Sequence, residues 1–225
     1  MTHPHDDHYA GFKYLCKTKA GKDFPVKAVY YSVNPGPEYG QFNSCLEDLI
    51  AKSEQHGQVS ARGPPITFGD VVFSVLSPKE PITEPNKDRN LDSIVMRMTY
   101  DKVSFMFTGD ADQEIEDALE GNLKSDILKV GHHGSRTASG DGFLKKVAPE
   151  ISVISSNDKD GKGKTYAHPH KEALSELKER GGMLIRTDLS GNVVMRSDGE
   201  FVFTLVDKVV PQDSPKLWKS GKKAP

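Results

Sequence analysis

Along this chain, short segments with periodically spaced apolar residues alternate with polar turns. This pattern predicts many brief strands and helices separated by turns. Between Phe42 and His56, apolar residues recur at the spacing of one helix face, and Gly57 follows as a stop. Further helices are predicted over Asp110–Gly121, Gly142–Val147 and His170–Arg180. Strands are predicted over Val26–Ser32, Asp70–Ser77, Ser93–Tyr100, Val103–Thr108, Asp126–Val130, Ile151–Ser155, Met183–Arg186, Asn192–Arg196 and Phe201–Val206. Strands mixed with helices and interrupted by a hairpin predict an α/β protein in which helices cover mixed sheets.

The last residues of the chain differ in composition from the rest. From Val209 onward, proline, lysine and serine dominate without periodicity. We therefore expect one folded domain over residues 1–206 and a disordered basic tail over 207–225.

Length and charge narrow the class of protein. A chain of 225 residues is long enough for one large α/β domain. Its net charge of −2 gives no general attraction to nucleic acid or to an anionic membrane, so such binding would need a local patch. We expect no membrane segment and no signal peptide. Cys16 and Cys45 cannot form a disulfide scaffold, and free thiols in a reducing cytoplasm are the expected state.

The histidines indicate where the chemistry lies, because seven of the eight fall in short clusters beside glycine, proline or aspartate. The first cluster is His3-Pro4-His5-Asp6-Asp7-His8. In extended chain, His3, His5 and Asp7 share one face, and a turn after Asp7 would bring His8 to the same point. Zinc requires such imidazole and carboxylate groups to converge at about 2 Å. The alternative interpretation is a purification-tag fragment or a solvated terminus.

Two turns that contain glycine supply further candidates. Asp110 follows a predicted strand and a glycine, and the alternative is an ordinary helix N-cap. His132 and His133 lie between two glycines, which suggests close approach of the backbone. Adjacent histidines point to opposite sides of an extended chain, so we expect one of them to bind metal. The alternative for this pair is a surface turn.

The last cluster is Ala167-His168-Pro169-His170, which precedes a predicted helix. For His170, a capping or surface role is a stronger alternative to a role in the site than the alternatives are for the earlier clusters. We favour His168 for the site and interpret His170 as solvated.

Together these motifs resemble the metallo-β-lactamase superfamily in type and order. The finer features resemble the soluble relatives of the nuclease domain of ComEC-type DNA-uptake proteins, and the similarity runs from Thr2 to about Leu205. The matching segments are His3–His8, Asn90-Leu91-Asp92-Ser93, Phe107-Thr108-Gly109-Asp110, Leu128-Lys129-Val130-Gly131-His132-His133-Gly134-Ser135-Arg136-Thr137, Ala167-His168-Pro169-His170 and Arg186-Thr187-Asp188-Leu189-Ser190-Gly191.

The resemblance implies a four-layer αβ/βα sandwich with two divalent metal ions, zinc or alternatively manganese, in the cleft between the sheets. His3 and His5 would bind the first metal, Asp7 and His8 the second, and Asp110 would bridge them. The implied further ligand is one of the pair His132 and His133, with His132 preferred.

The chain also departs from the family pattern. Most members have another histidine between the first cluster and the bridging aspartate, whereas here that interval holds only His56, in a predicted helix. Asn90 stands where ComEC-like members tend to have asparagine. The family's first strands, which usually precede the histidine cluster, are absent before Met1. We therefore expect an unpaired sheet edge that a partner or a second copy would cover.

The implied activity is that of a hydrolase in which metal-activated hydroxide attacks a phosphodiester of a small molecule or of DNA. Asp7 would orient the hydroxide, His168 would donate a proton or hold the anionic intermediate, and Asn90 and Ser135 would contact substrate. One alternative is hydrolysis of carboxylic esters, lactones or β-lactams. Another is a truncated, non-catalytic remnant that binds metal or a partner.

Overall fold

The chain folds into two compact units in the computed structural model, which describes residues 1–33, 40–157, 167–208 and 217–219. The first unit comprises Met1–Pro64 and Val75–Val95, and the second comprises Pro65–Ser74 and Met96–Pro225. In the described part of the chain, no helix has both the length and the apolar character needed to cross a membrane.

Short elements make up both units. The helices are α1 (Asp6–Tyr9), α2 (Lys13–Lys17), α3 (Lys19–Lys22), α4 (Gln41–Lys52), α5 (Gln113–Asp117), α6 (Asp141–Val147), α7 (Lys171–Arg180) and α8 (Thr187–Ser190). The strands are β1 (Val26–Tyr31), β2 (Ser53–Gln58), β3 (Ile66–Phe68), β4 (Val71–Ser77), β5 (Val95–Tyr100), β6 (Val103–Phe107), β7 (Ile127–Lys129), β8 (Ile151–Ile154), β9 (Met183–Arg186), β10 (Val193–Ser197), β11 (Phe201–Val206) and β12 (Leu217–Lys219).

The first unit is organised around α4, which connects the parallel strands β1 and β2. One face of α4 buries Phe42, Leu46 and Leu49, and these pack with Val29 and Tyr31 of β1 in a single core. The amphipathic spacing in the sequence therefore predicted the presence of this helix and its buried face correctly. Its buried face fixes the helix against the β1–β2 pair.

A seven-stranded mixed sheet, in the order β3-β4-β5-β6-β7-β8-β9, falls almost entirely in the second unit. Strands β5 and β6 form the predicted hairpin, and β6 to β9 run parallel. The helices α5, α6 and α7 connect these parallel strands in sequence. A smaller sheet of β10, β11 and β12 contributes Val202 to the core that contains Phe105 and Ile127, and Val193 packs against this core. This arrangement confirms the predicted α/β class.

The parallel strands place their following loops at one edge of the sheet. The loop after β6 carries Asp110, and the loop after β7 carries His132 and His133. The loop after β8 begins at Ser155. Because carboxyl ends of parallel strands meet at one sheet edge, these residues are neighbours although they are distant in sequence.

Two predicted helices differ from the observed ones. The helix predicted over Phe42–His56 ends at Lys52, and His56 lies in β2, because backbone pairing with β1 outweighs the low strand propensity of the polar sequence there. The helix predicted over Asp110–Gly121 is limited to Gln113–Asp117. Its N-cap position is held by Asp112, so the N-cap interpretation of Asp110 is wrong.

The first histidine cluster is not extended throughout. Helix α1 already begins at Asp6, so Asp7 and His8 lie in a helical turn and the expected extended alternation ends at His5. Proline restricts the residue before it but leaves the residues after it free to begin a helix.

Much of the predicted tail lies outside the described residues. These are residues 209–216 and 220–225, for which disorder stays a prediction. Within the tail, Leu217–Lys219 are described as β12, antiparallel to β11.

Candidate metal centre

The first unit brings three histidine rings close together. The Nε2 atom of His3 lies 3.2 Å from the Nδ1 atom of His5, and the ring centroids of His3 and His8 are 4.1 Å apart. The Asp7 carboxylate lies 3.7 Å from Nε2 of His8. The cluster that the sequence singled out is therefore assembled within this unit, although His3 is buried and Asp7 is exposed.

Hydroxyl groups hold the buried ring of His3. Its Nδ1 lies 3.2 Å from the Ser93 hydroxyl and 3.1 Å from the Thr2 hydroxyl. A ring held through Nδ1 presents its Nε2 in a fixed direction, here toward His5. Nothing in the sequence pattern predicted a role for Ser93, although Ser93 lies in one of the motifs that resemble the family.

The predicted substrate contact Asn90 also lies in the first unit. Its side chain is buried, and its backbone N–H donates to the Asp88 carboxylate over 3.0 Å. Among the described residues, its Oδ1 atom has no hydrogen-bond partner. A buried amide oxygen of this kind is costly unless it is satisfied by water, an ion or a ligand. The role of Asn90 in substrate binding stays a prediction.

In the second unit, His133 faces the buried carboxylate of Asp110. The Nε2 atom of His133 lies 3.5 Å from Oδ2 of Asp110, while its Nδ1 donates to the carbonyl of Ser155 over 2.8 Å. A carbonyl only accepts, so the proton belongs on Nδ1 and the neutral ring turns its Nε2 lone pair toward the carboxylate. Two acceptors that face each other repel unless a proton, a metal ion or a bridging water satisfies both of them. Accordingly, the hydrogen bond with Asp110 raises the pKa of His133.

His132 makes a different set of contacts. Its Nδ1 lies 2.9 Å from Oδ1 of Asp112, an oxygen that also accepts from Thr137 over 2.7 Å. This hydrogen bond to Asp112 raises the pKa of His132. The geometry thus places His133, rather than the preferred His132, against Asp110.

The histidine pair sits on an unusual backbone. His132 has φ 44° and His133 has φ 53°, both in the left-handed region that residues with a Cβ rarely adopt. Two such residues in succession cost conformational energy, and strain of this kind is concentrated at functional sites. The turn is held by hydrogen bonds from the His132 N–H to the Gly109 carbonyl and from the Ser135 N–H to the His132 carbonyl.

The loop before α7 packs on this turn. The His170 N–H donates to the Gly134 carbonyl over 2.9 Å, and the Arg136 N–H donates to Nδ1 of His170 over 3.0 Å. His170, at the N-cap position of α7, therefore anchors the loop while its side chain stays partly exposed. The His168 ring lies 6.3 Å from the His133 ring, centroid to centroid. Burial, together with the neighbouring His170, lowers the pKa of His168 to about 4.

Ser135, a predicted substrate contact, is buried beneath this turn. Its hydroxyl lies 3.0 Å from the Thr137 hydroxyl and accepts from the Thr137 N–H over 3.3 Å. These bonds shape the turn that follows the histidine pair. Contact with a substrate stays a prediction for Ser135.

A second network, which the sequence pattern did not predict, fixes the loop that carries the Ser155 carbonyl. The guanidinium of Arg186 donates to both carboxylate oxygens of Asp188. Asp188 accepts from the Ser156 hydroxyl over 3.1 Å, and the Thr187 hydroxyl donates to the Ser156 carbonyl over 2.7 Å. Arg186, Thr187 and Asp188 belong to a motif quoted for the resemblance, but its role depends on contacts that sequence order does not reveal.

Comparison with known proteins agrees with these features. The family described as "Metallo-beta-lactamase superfamily" matches residues 1–156. Competence protein ComA of Neisseria gonorrhoeae is 39% identical over 195 residues, which cover 85% of this chain and 24% of that protein. ComE operon protein 3 of Bacillus subtilis (strain 168) is 31% identical over 199 residues, covering 87% of this chain and 24% of the relative.

A third relative, Recombination protein 2 of Haemophilus influenzae, is 33% identical over 122 residues, which cover 54% of this chain and 15% of that protein. The chain thus spans a quarter or less of the length of each of these relatives. The family match extends over most of the chain and includes the first histidine cluster and the pair His132 and His133. This protein belongs to the metallo-beta-lactamase superfamily.

Proposed function

We propose that this chain is a metal-dependent phosphodiesterase that acts on nucleic acid. Membership of the superfamily supports the coarser assignment, a metal-dependent hydrolase. The words competence and recombination in the names of the relatives support nucleic acid as the substrate class. The proposed metal ligands are His3, His5, Asp7, His8, Asp110 and His133.

The observation that carries the metal assignment is the 3.2 Å separation between Nε2 of His3 and Nδ1 of His5. Two nitrogens bound at about 2.0 Å to one tetrahedral zinc ion would be about 3.3 Å apart. The observed spacing thus suits two ligands of a single ion. Imidazole and carboxylate donors fit zinc, and manganese is the alternative where carboxylates dominate.

Divalent ions held by these residues would lower the pKa of water and neutralise charge on an attacked phosphate. Asp7 would orient the attacking water, and Asp110 would act as a metal ligand. His168 would donate a hydrogen bond from its neutral ring to the oxygen on which negative charge develops. Arg136 is exposed beside the turn and adds positive charge suited to phosphate, despite the net charge of −2.

The first test compares metal-loaded wild type with histidine variants, using bis-p-nitrophenyl phosphate and single- and double-stranded DNA as substrates. We expect His133→Ala to reduce turnover by about a hundredfold or more, because losing a ligand costs at least as much as losing a residue that supports one. His132→Ala should cost less, since its ring is bound to Asp112. His56→Ala is the matched control, because His56 is exposed on β2, and it should retain wild-type turnover.

Metal content, measured on the same samples, makes each outcome interpretable. Loss of bound metal with loss of turnover in His133→Ala supports the ligand assignment. Equal losses in His132→Ala and His133→Ala would contradict the preference for His133. Faster turnover of a lactone than of either phosphodiester would favour the carboxylic ester alternative, and bound metal without any turnover would favour a non-catalytic protein.

A further inference from the structure

The two cysteines of this chain lie against each other in the core of the first unit. The Sγ atoms of Cys16 and Cys45 are 3.1 Å apart, and both side chains are buried. The Cys16 thiol also approaches the backbone carbonyl of Cys45 at 3.4 Å. Contact between two sulfurs is the geometry from which a disulfide forms with a small movement of the side chains.

We propose that Cys16 and Cys45 are a disulfide-forming pair that cross-links α2 to α4 when the chain folds under oxidising conditions. The two residues are 29 positions apart, so the link would close a substantial loop of the unfolded chain. Closing such a loop reduces the entropy of the unfolded state and thereby stabilises the fold. This proposal does not depend on the proposed enzymatic function.

A separate contact keeps the two helices together near the cysteines. The ammonium of Lys52, at the end of α4, donates to the carbonyl of Leu15 over 2.6 Å and to that of Gly21 over 3.0 Å. Leu15 is the neighbour of Cys16, so this contact holds the α2 backbone close to α4. The cysteines also share their core with Tyr9 and Phe42, whose rings meet edge to face.

The oxidation would proceed by thiol–disulfide exchange with an external disulfide such as oxidised glutathione. One cysteine thiolate attacks the external disulfide and releases one glutathione thiol. The second cysteine then displaces the other glutathione, so the chain loses two electrons and two protons while glutathione gains them. Because the thiolate is the nucleophile, the step depends on access to an ionised sulfur.

The thiols of the unfolded chain and those of the folded chain should therefore react with an external disulfide at different rates. Burial, reinforced by the contact with Cys16, raises the pKa of Cys45 to about 12. The reduced, folded chain should react slowly, whereas the unfolded chain exposes ordinary thiols. Once formed, the buried bond should be equally shielded from external thiols.

The experiment uses the full chain, whose two cysteines make thiol counting unambiguous. Reduced, unfolded protein is refolded in mixed reduced and oxidised glutathione, quenched, unfolded and alkylated, and its mass is then measured. We expect no alkylated thiol, a mass lower by two hydrogen atoms, and a monomer on a non-reducing gel. We expect more than about half of the chains to stay cross-linked at about a tenfold excess of reduced glutathione.

The single variant Cys45→Ala provides the control. Cys45→Ala leaves one thiol, which should remain alkylatable, and its urea midpoint should not respond to oxidant, whereas the wild-type midpoint should rise on cross-linking. Two alkylated cysteines in the refolded wild type, a disulfide between two chains, or a lower midpoint after cross-linking would each overturn the proposal. If Cys45→Ala fails to fold, the thiol count on the wild type still decides.

Discussion

Gly134 links the histidine turn to the loop that carries His168, and replacing it with alanine tests how closely the two segments are packed. An added Cβ would lie 2.7 Å from Cβ and 3.3 Å from Cα of Pro169. Neither atom is the end of a flexible side chain, so the segment itself must move. Movement would strain the 2.9 Å hydrogen bond from the His170 N–H to the Gly134 carbonyl.

Two costs contribute to the expected loss of stability. Gly134 has φ +82°, a left-handed conformation that costs a residue with a Cβ about 1–2 kcal/mol. Forcing extra volume into a packed region costs about a further 1–3 kcal/mol. We therefore expect Gly134→Ala to lower the free energy of unfolding by about 2–5 kcal/mol.

Gly121→Ala is the matched control, because Gly121 has φ +85° and an added Cβ there would meet no atom within 4 Å. It should show the backbone cost alone. Urea unfolding followed by circular dichroism measures both variants, and the difference between them isolates the contact with Pro169. If the two variants lose equal stability, the packing argument is refuted and the loop is held by its hydrogen bonds instead.

Three other predictions concern buried groups. The carboxylate of Glu116 is buried and accepts N–H groups of Ser139 and Gly140, and burial raises its pKa to about 7. Because the folded protein then binds this proton more tightly than the unfolded chain, its contribution to stability is fully present below about pH 4.5 and is lost as pH rises through about 7. Glu116→Gln should flatten this dependence in urea titrations across that range, and an unchanged pH dependence would contradict it. Asp188→Asn should reduce both stability and metal affinity, the latter by about 10–100-fold, because Arg186 loses its bidentate partner and the loop that carries the Ser155 carbonyl loses this support. Metal titration by calorimetry measures the affinity, and an unchanged value would refute the positioning role. Leu46→Ala should cost about 2–5 kcal/mol in the urea assay, since Leu46 is fully buried in the first-unit core, and a loss below about 1 kcal/mol would show that the site collapses around the cavity.

Strands were the most predictable part of this fold. Val103–Phe107 and Ile151–Ile154 are apolar segments bounded by turn residues, and each matches its prediction within one residue at either end. The spacing of apolar residues did not predict β2, because its sequence Ser53–Gln58 contains no apolar side chain. That strand depends on pairing with β1, a long-range contact that local sequence does not encode.

The candidate site was predictable to the extent that side-chain chemistry is local. Histidine and aspartate beside glycine at strand ends predicted Asp110 and the pair His132 and His133 as candidates, and the density of histidines predicted the first cluster. Their roles as metal ligands stay predictions. The groups that orient these side chains were missed, because a Ser155 carbonyl or a Ser93 hydroxyl has no distinctive sequence signature. Positioning contacts of this kind depend on tertiary structure.

The choice between His132 and His133 shows most clearly what the sequence could not predict about the site. The expectation that one of the two binds metal relied on the rule that adjacent side chains alternate, which holds for extended chain. The preference for His132 came with the family resemblance. Both residues instead adopt left-handed conformations, and both rings are held through Nδ1, so either could offer Nε2 to a metal. What separates them is position, since Nε2 of His133 lies 3.5 Å from Asp110 while His132 is tied to Asp112. Only the path of the backbone through this turn, and not the identity of the residues, supports His133 as the ligand.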